Sequence, residues 1–138
     1  MRKVMEWECT DGGESLHFRI TQMSATQSER FTIKILMLIG ANGGNVDTNS
    51  LSGLLGNLSN IPFEKIQELL DELLSCCEIV KDNIPVKLTP TNVDGFISER
   101  NTLLKLRAEA FKHNDFFQMS GLNGLEAFPA QADIKRKG

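Results

Sequence analysis

A chain of 138 residues with 41% hydrophobic and 24% charged side chains has room for one domain, because a chain of this length buries roughly two-thirds of its unfolded surface and cannot build a second core. Its 15 Lys and Arg are outnumbered by 18 Asp and Glu, a net charge of −3 that offers phosphate backbones and anionic lipid no general attraction. Neither a nucleic-acid nor a membrane partner is expected on that ground.

The N-terminus carries Arg2 and Lys3 but no apolar signal core. The longest apolar run, Ile35 to Ile39, is far short of the ~20 residues that span a bilayer, so export and insertion are not expected. Val4 to Ile20 reads as a β-hairpin around Asp11-Gly12-Gly13. Met5, Trp7 and Cys9 alternate on one strand and Leu16, Phe18 and Ile20 on the other, while Glu6, Glu8, Glu14, His17 and Arg19 take the opposite face. A lone hairpin is marginal in water, so its apolar face must pack on the helices downstream or on a partner.

A first helix is expected from Ser24, with Gln27 at capping-box spacing. Phe31, Ile35, Leu38 and Ile39 form its stripe, and Ile33, Leu36 and Met37 extend the apolar surface almost around the cylinder, which predicts a helix central to the core. The glycine-rich segment from Gly40 to Asn45 stops it. That segment lacks the Lys-Ser or Lys-Thr of a phosphate-binding loop and follows a helical pattern where such a loop needs a strand. A weaker second helix covers Thr48 to Leu58 through Leu51, Leu54, Leu55 and Leu58, despite Gly53 and Gly56. The third begins near Pro62, and Phe63, Ile66, Leu70, Leu73, Cys77 and Val80 recur at steps of three and four, the seam of a helix packed on another helix.

Ile84 to Leu88, interrupted by Pro85, reads as an edge strand or connector. Thr89-Pro90 then opens the longest predicted helix, which runs to about Asn114 with Val93, Phe96, Ile97, Leu103, Leu104, Ala108 and Phe111 on its apolar face and Arg100 and Arg107 breaking the repeat. The expected fold class is therefore mainly α: a small bundle of about four helices with a minor N-terminal β-hairpin. Residues 1–117 make a single domain containing the hairpin at 4–20, and 118–138 a flexible tail with too few regularly spaced apolar groups for a core.

Residue types that carry chemistry do not converge. Cys9, Cys76 and Cys77 are an odd set with two neighbours that cannot easily pair, which fits a reducing cytoplasm. Asp71, Glu72 and Glu78 around the adjacent cysteines would raise their thiol pKa rather than lower it, so buried Cys77 reads as a small core residue. His17 and His113 belong to no metal-ligand spacing. No catalytic residue, metal or cofactor is expected. The order of second helix, third helix and Val86-Lys87-Leu88-Thr89 resembles a winged-helix DNA-binding regulator, the alternative reading. Six acidic residues against two basic ones between Pro62 and Asp82 argue against a groove-entering helix there. The remaining signal is Phe111, Phe116, Phe117, Met119 and Leu122. Phe111 keeps register with Leu104 and Ala108, whereas adjacent Phe116 and Phe117 cannot both face one core, which makes this cluster the candidate partner-binding surface.

Several segments together resemble the tail assembly chaperones of long-tailed bacteriophages. They are Ile20-Thr21-Gln22-Met23-Ser24-Ala25, the helix Phe31 to Ile39, the run Leu69 to Leu74, and Asn101 to Phe111 followed by Asn114-Asp115-Phe116-Phe117. The resemblance covers about residues 4–124; residues 125–138 match nothing assignable. It implies a non-catalytic protein of the host cytoplasm, absent from the mature virion. Such a protein binds the tape measure protein, keeps it soluble and helps tail tube subunits assemble around it. The tail tube protein is a further implied partner, many members have a frameshifted longer form, and an exposed apolar seam is compatible with a homo-oligomer.

Overall fold

Gly12 and Gly13 adopt φ values of +59 and +87, the left-handed pair that a two-residue hairpin turn demands and that a Cβ would strain. The computed structural model to which they belong describes residues 2–41, 50–58, 60–114, 118–119 and 122–123. The turn joins β1 (Val4–Asp11) to β2 (Glu14–Thr21), with Met5 opposite Ile20, Trp7 opposite Phe18 and Cys9 opposite Leu16. Leu16, Phe18 and Ile20 are fully buried, and Met5, Trp7 and Cys9 pack partly buried against the same core. The hairpin and its two faces are as the alternation predicts except at Glu14, which pairs with Asp11 and so falls on the side of Leu16 and Phe18, exposed at the end of the strand beyond the core.

The fold class is not as expected. The chain folds as α+β, which among the described residues is a four-stranded antiparallel sheet in the order β1-β2-β3-β4 beside four α-helices, and not as a helical bundle carrying a minor hairpin. The difference arises in the expected third helix. It spans only Phe63–Leu74 (α3), and the residues beyond Ser75 become β3 (Cys77–Lys81) and β4 (Ile84–Lys87). Cys77 and Val80 fit helical spacing by coincidence. In the sheet Cys77 and Ile79 face inward at period two, fully buried, and the β-branched pair Ile79-Val80 favours extended backbone. Asp82 and Asn83 take φ of 52 and 65, the positive values of a type I′ hairpin turn that Asp and Asn tolerate better than other side-chain-bearing residues. Pro85 sits on the edge strand, where a missing N–H costs least.

The helices cover the apolar face of this sheet. The first, α1 (Ala25–Ala41), starts after Ser24, whose Oγ accepts the Gln27 N–H at 3.2 Å. The Gln27 side chain does not close a capping box; it donates to Ser75 Oγ at 3.4 Å. Phe31, Ile35 and Ile39 are buried, but Met37 is 70% exposed and Ile33 is also exposed. The helix thus lies against the core on one side and is not central to it. It continues through Gly40 and Ala41, and the rest of the expected glycine stop falls outside the described residues. Next comes α2 (Leu51–Asn57), capped by Ser50 Oγ on Gly53 N–H at 3.1 Å, with Leu51 and Leu54 buried and Leu58 buried just after it. In α3 the buried side is Leu69, Leu73 and Leu74, while Phe63 is 66% exposed. That face is displaced from the expected seam, with Leu69 and Leu74 buried and Phe63 outside, although α3 does pack on another helix, α4.

The last helix, α4 (Arg100–Asn114), begins ten residues later than Pro90 suggests. Thr89 and Asn92 close a side-chain turn, the Thr89 N–H reaching Asn92 Oδ1 at 2.8 Å and the Asn92 N–H reaching Thr89 Oγ1 at 3.2 Å. A single 3-10 turn, Val93–Gly95, comes next. The chain re-enters a helix only where Asp11 accepts the Ser98 N–H at 2.8 Å and the Glu99 N–H at 2.9 Å, satisfying the donor at the helix boundary and the one just before it. The buried side of α4 is Thr102, Leu106, Arg107, Ala110 and Phe111, and Leu104 is exposed. The guanidinium that breaks the apolar repeat is thus inside, and its Nε has no hydrogen-bond partner among the described residues. Of the expected tail, β5 (Gln118–Met119) pairs with β6 (Leu122–Asn123); the remaining residues of 118–138 lie outside the described ones.

Candidate functional site

Two recesses border the helices, the first mainly apolar and the second mixed. Along the first, α1 and α3 run antiparallel, since Gln27 meets Ser75 and Lys34 Nζ meets Glu72 Oε1 at 2.7 Å. Toward the C-terminal end of α1 the helices enclose a groove of about 360 Å³ lined by Met37, Leu38 and Leu69, with Lys34, Lys65 and Glu68 at its rim. Met37 projects beside it, and Ile33 stands one turn earlier on the same side of α1. Sequence reasoning missed this surface by placing Ile33 and Met37 in the core. The signal was available: a helix apolar almost all round, in a chain too short to surround it, must leave some of that surface uncovered.

The second recess, about 680 Å³, lies between the end of α4, α2 and the start of β1, with Met5, Leu51, Ala108 and Phe111 as its apolar lining and Lys112 and His113 beside them. Phe111, a sequence-derived partner-binding candidate, is thus a buried residue whose side chain borders an opening. Met119 lies opposite Leu122 in the β5–β6 ladder. Phe116 and Phe117 lie outside the described residues.

The polar groups are engaged locally. His17 Nδ1 lies 3.2 Å from Glu8 Oε2 and Nε2 contacts Glu6 Oε1; these bonds to carboxylates raise its pKa, and His17 in turn lowers that of Glu6. His113 Nε2 pairs with the Lys3 carbonyl at 3.1 Å, and Gln22 Nε2 donates to the His113 carbonyl at 3.0 Å. Cys76 and Cys77 are buried, and desolvation pushes both thiols up, as it does at Cys9. A raised thiol pKa leaves little thiolate at neutral pH. No group of three or more His, Cys, Asp or Glu side chains among the described residues is arranged to hold a metal ion. None of the described helices is long and apolar enough to cross a membrane.

The wing of the DNA-binding alternative would be the β3–β4 hairpin, which here completes the sheet through β2. Glu64 and Glu68 lie on the exposed side of α3, the helix that would enter the groove, and repel phosphate.

A family model described as a phage tail assembly chaperone protein, TAC, matches residues 14–124. No curated protein and no solved structure matches the chain.

Proposed function

Because that match spans most of the chain, the protein belongs to the phage tail assembly chaperone family, and from this premise we propose that its client is the tape measure protein. It keeps that client soluble in the host cytoplasm, assists the tail tube subunits that assemble around it, and is absent from the mature virion. The role is binding, without catalysis.

The observation that carries this reading beyond the family is the α1–α3 groove with Met37 exposed beside it. Long helical clients have apolar faces that aggregate when left open, and a groove between two amphipathic helices can cover one such face. The net charge of −3 helps keep the loaded complex dispersed. Phe111, Phe116, Phe117, Met119 and Leu122 are the second proposed contact.

Co-expression with a tape measure protein tests both contacts. Met37→Ser and, separately, Phe116→Ser with Phe117→Ser are each expected to lower soluble client about fivefold or more, the loss typical of an apolar anchor. Unchanged client solubility in either variant removes that contact from the assignment. A client equally soluble without the chaperone removes the function.

A further inference from the structure

We infer that the open edge of β1 binds an extended segment of another protein by strand addition, and that this segment alternates cationic with apolar side chains. Such binding does not depend on the tape measure protein being the client.

The backbone supplies the first reason. At a two-residue turn the flanking residues, here Asp11 and Glu14, form a hydrogen-bonded pair, and such pairs recur at every second position of an antiparallel ladder. The Gln22 N–H to Lys3 carbonyl bond, 3.0 Å, continues that set past the far end. Val4, Glu6, Glu8 and Thr10 therefore turn their N–H and C=O groups away from β2. Since β1 ends the strand order, these groups have no strand to pair with among the described residues. The edge is eight residues long, continuous in register and free of proline, whereas natural edges are commonly shortened, bulged or proline-blocked.

Side chains supply the second reason. On the outer face Glu6 lies opposite Arg19, Arg19 opposite Glu78, and Glu78 opposite Lys87. Charge alternates in sign across all four strands, and Arg19 Nε closes on Glu6 Oε2 at 3.2 Å. The row stops on a carboxylate at the open edge, with Glu8 beside it. Opposite charges directly across a ladder stabilise it and like charges destabilise it, so the next strand should place Lys or Arg against Glu6 and Glu8. On the inner face the corresponding row is Trp7, Phe18, Ile79 and Val86. Phe18 and Ile79 are fully buried, while Trp7, with Met5 and Cys9, is only partly covered. An apolar side chain on the added strand would extend that row.

A second copy of this chain fits poorly. Pairing β1 with β1 sets Glu6 and Glu8 against their own kind. Pairing it with β4 meets a four-residue edge. By the same turn argument, from Lys81 and Ile84, the outward donor at position 85 is missing there because the residue is proline.

The test uses the whole chain, whose single tryptophan, Trp7, reports on the edge by fluorescence. The probes are the capped peptide Lys-Val-Lys-Ile-Lys-Val-Lys and its Glu counterpart, with N-methylated forms of the first blocked at either the Lys or the Val and Ile amides. The Lys peptide should bind about tenfold or more tighter than the Glu peptide, and Glu6→Lys, which leaves only Glu8 to attract it, should erase most of that preference. If Glu6→Lys does not fold, Glu6→Gln should narrow the ratio. In the antiparallel orientation of the rest of the sheet, a residue opposite Glu6 both shares its face and points its own N–H at β1, so methylation at Lys should abolish binding and methylation at Val and Ile should leave it within about twofold. Equal binding of the Lys and Glu peptides, equal effects of the two methylation patterns, or no Trp7 response to any peptide overturns the proposal. So does concentration-dependent self-association in sedimentation that Glu6→Lys abolishes.

Discussion

Asp11 and Glu99 brace the first hairpin turn against the start of α4 with their side chains. Asp11 Oδ1 accepts the Glu99 N–H at 2.9 Å, and Glu99 Oε1 accepts the N–H of Gly12, next to Asp11, at 2.8 Å. The tip of the first hairpin thus serves as the cap of α4, across a sequence separation of 88. Glu99 precedes the helix by one residue, and Asp11 is only 4% exposed.

Removing this cap should cost stability out of proportion to one surface-loop residue. Asp11→Ala strips two backbone donors of their acceptor at a nearly buried site, so urea unfolding should give a loss of about 1–2 kcal/mol. Asp11→Asn retains an acceptor and should lose less. Equal stability of Asp11→Ala and the parent protein would show that the hairpin tip does not cap the helix.

The same contact sets an acid limb. The Ser98 N–H, together with Glu99 and Thr102, holds the Asp11 carboxyl below its ordinary value of 3.8 despite an opposing effect of burial. With the folded pKa below the unfolded one, the stabilisation is complete above the ordinary carboxylate range and disappears as pH falls through the folded value. Stability measured from pH 6 down to about pH 2 should fall less steeply in Asp11→Asn than in the parent chain; parallel curves would contradict the linkage.

His17 carries the opposite sign. Glu6 first, and Glu8 after it, favour the imidazolium and raise the pKa above 6.5. Its contribution is therefore present below the ordinary histidine range and lost as pH rises through the folded value. An NMR titration should place the His17 midpoint above 6.5, and Glu6→Gln should bring it down. A midpoint unmoved by Glu6→Gln would mean that the contact does not persist in solution. The side chains are exposed, so added salt should shrink the shift.

Asn83 tests the hairpin that overturns the bundle. At φ of 65 a β-branched side chain is strongly disfavoured, and Asn83→Val should destabilise the fold by about 1–2 kcal/mol. Asn83→Gly, which meets no such penalty, should be neutral or slightly stabilising. Thermal melts distinguish them. Indifference to valine would indicate a different turn and a different β3–β4 register.

How far the sequence can be read varies by element. Asp11-Gly12-Gly13 and the alternation around it identify the hairpin and its faces, because glycine stereochemistry and period two are local properties. The cap at Ser24 is similar, since a short hydroxyl before an apolar periodic run announces a helix start. The expected third helix runs too far because Cys77 and Val80 satisfy three-and-four spacing, while Cys77 also keeps period two with Ile79. A short apolar run cannot resolve that ambiguity alone. The α1–α3 groove is hidden for a related reason, since hydrophobicity at Met37 does not say whether a neighbour arrives to cover it.

By itself the sequence determined what depends on neighbours within a few residues: the first turn and its strand faces, the helix cap at Ser24, the apolar stripe of Phe31, Ile35 and Ile39, and an acidic surface. It also carried the family pattern between residues 14 and 124. Only the tertiary structure decided that β3 joins β2 to make one sheet, that Asp11 holds the start of a helix 88 residues away, and that among the described residues Met37 is exposed and the outer edge of β1 has no strand beside it. Those outcomes depend on which distant groups compete for the same donors and the same apolar surface, and chain closure over such distances leaves no periodicity to read.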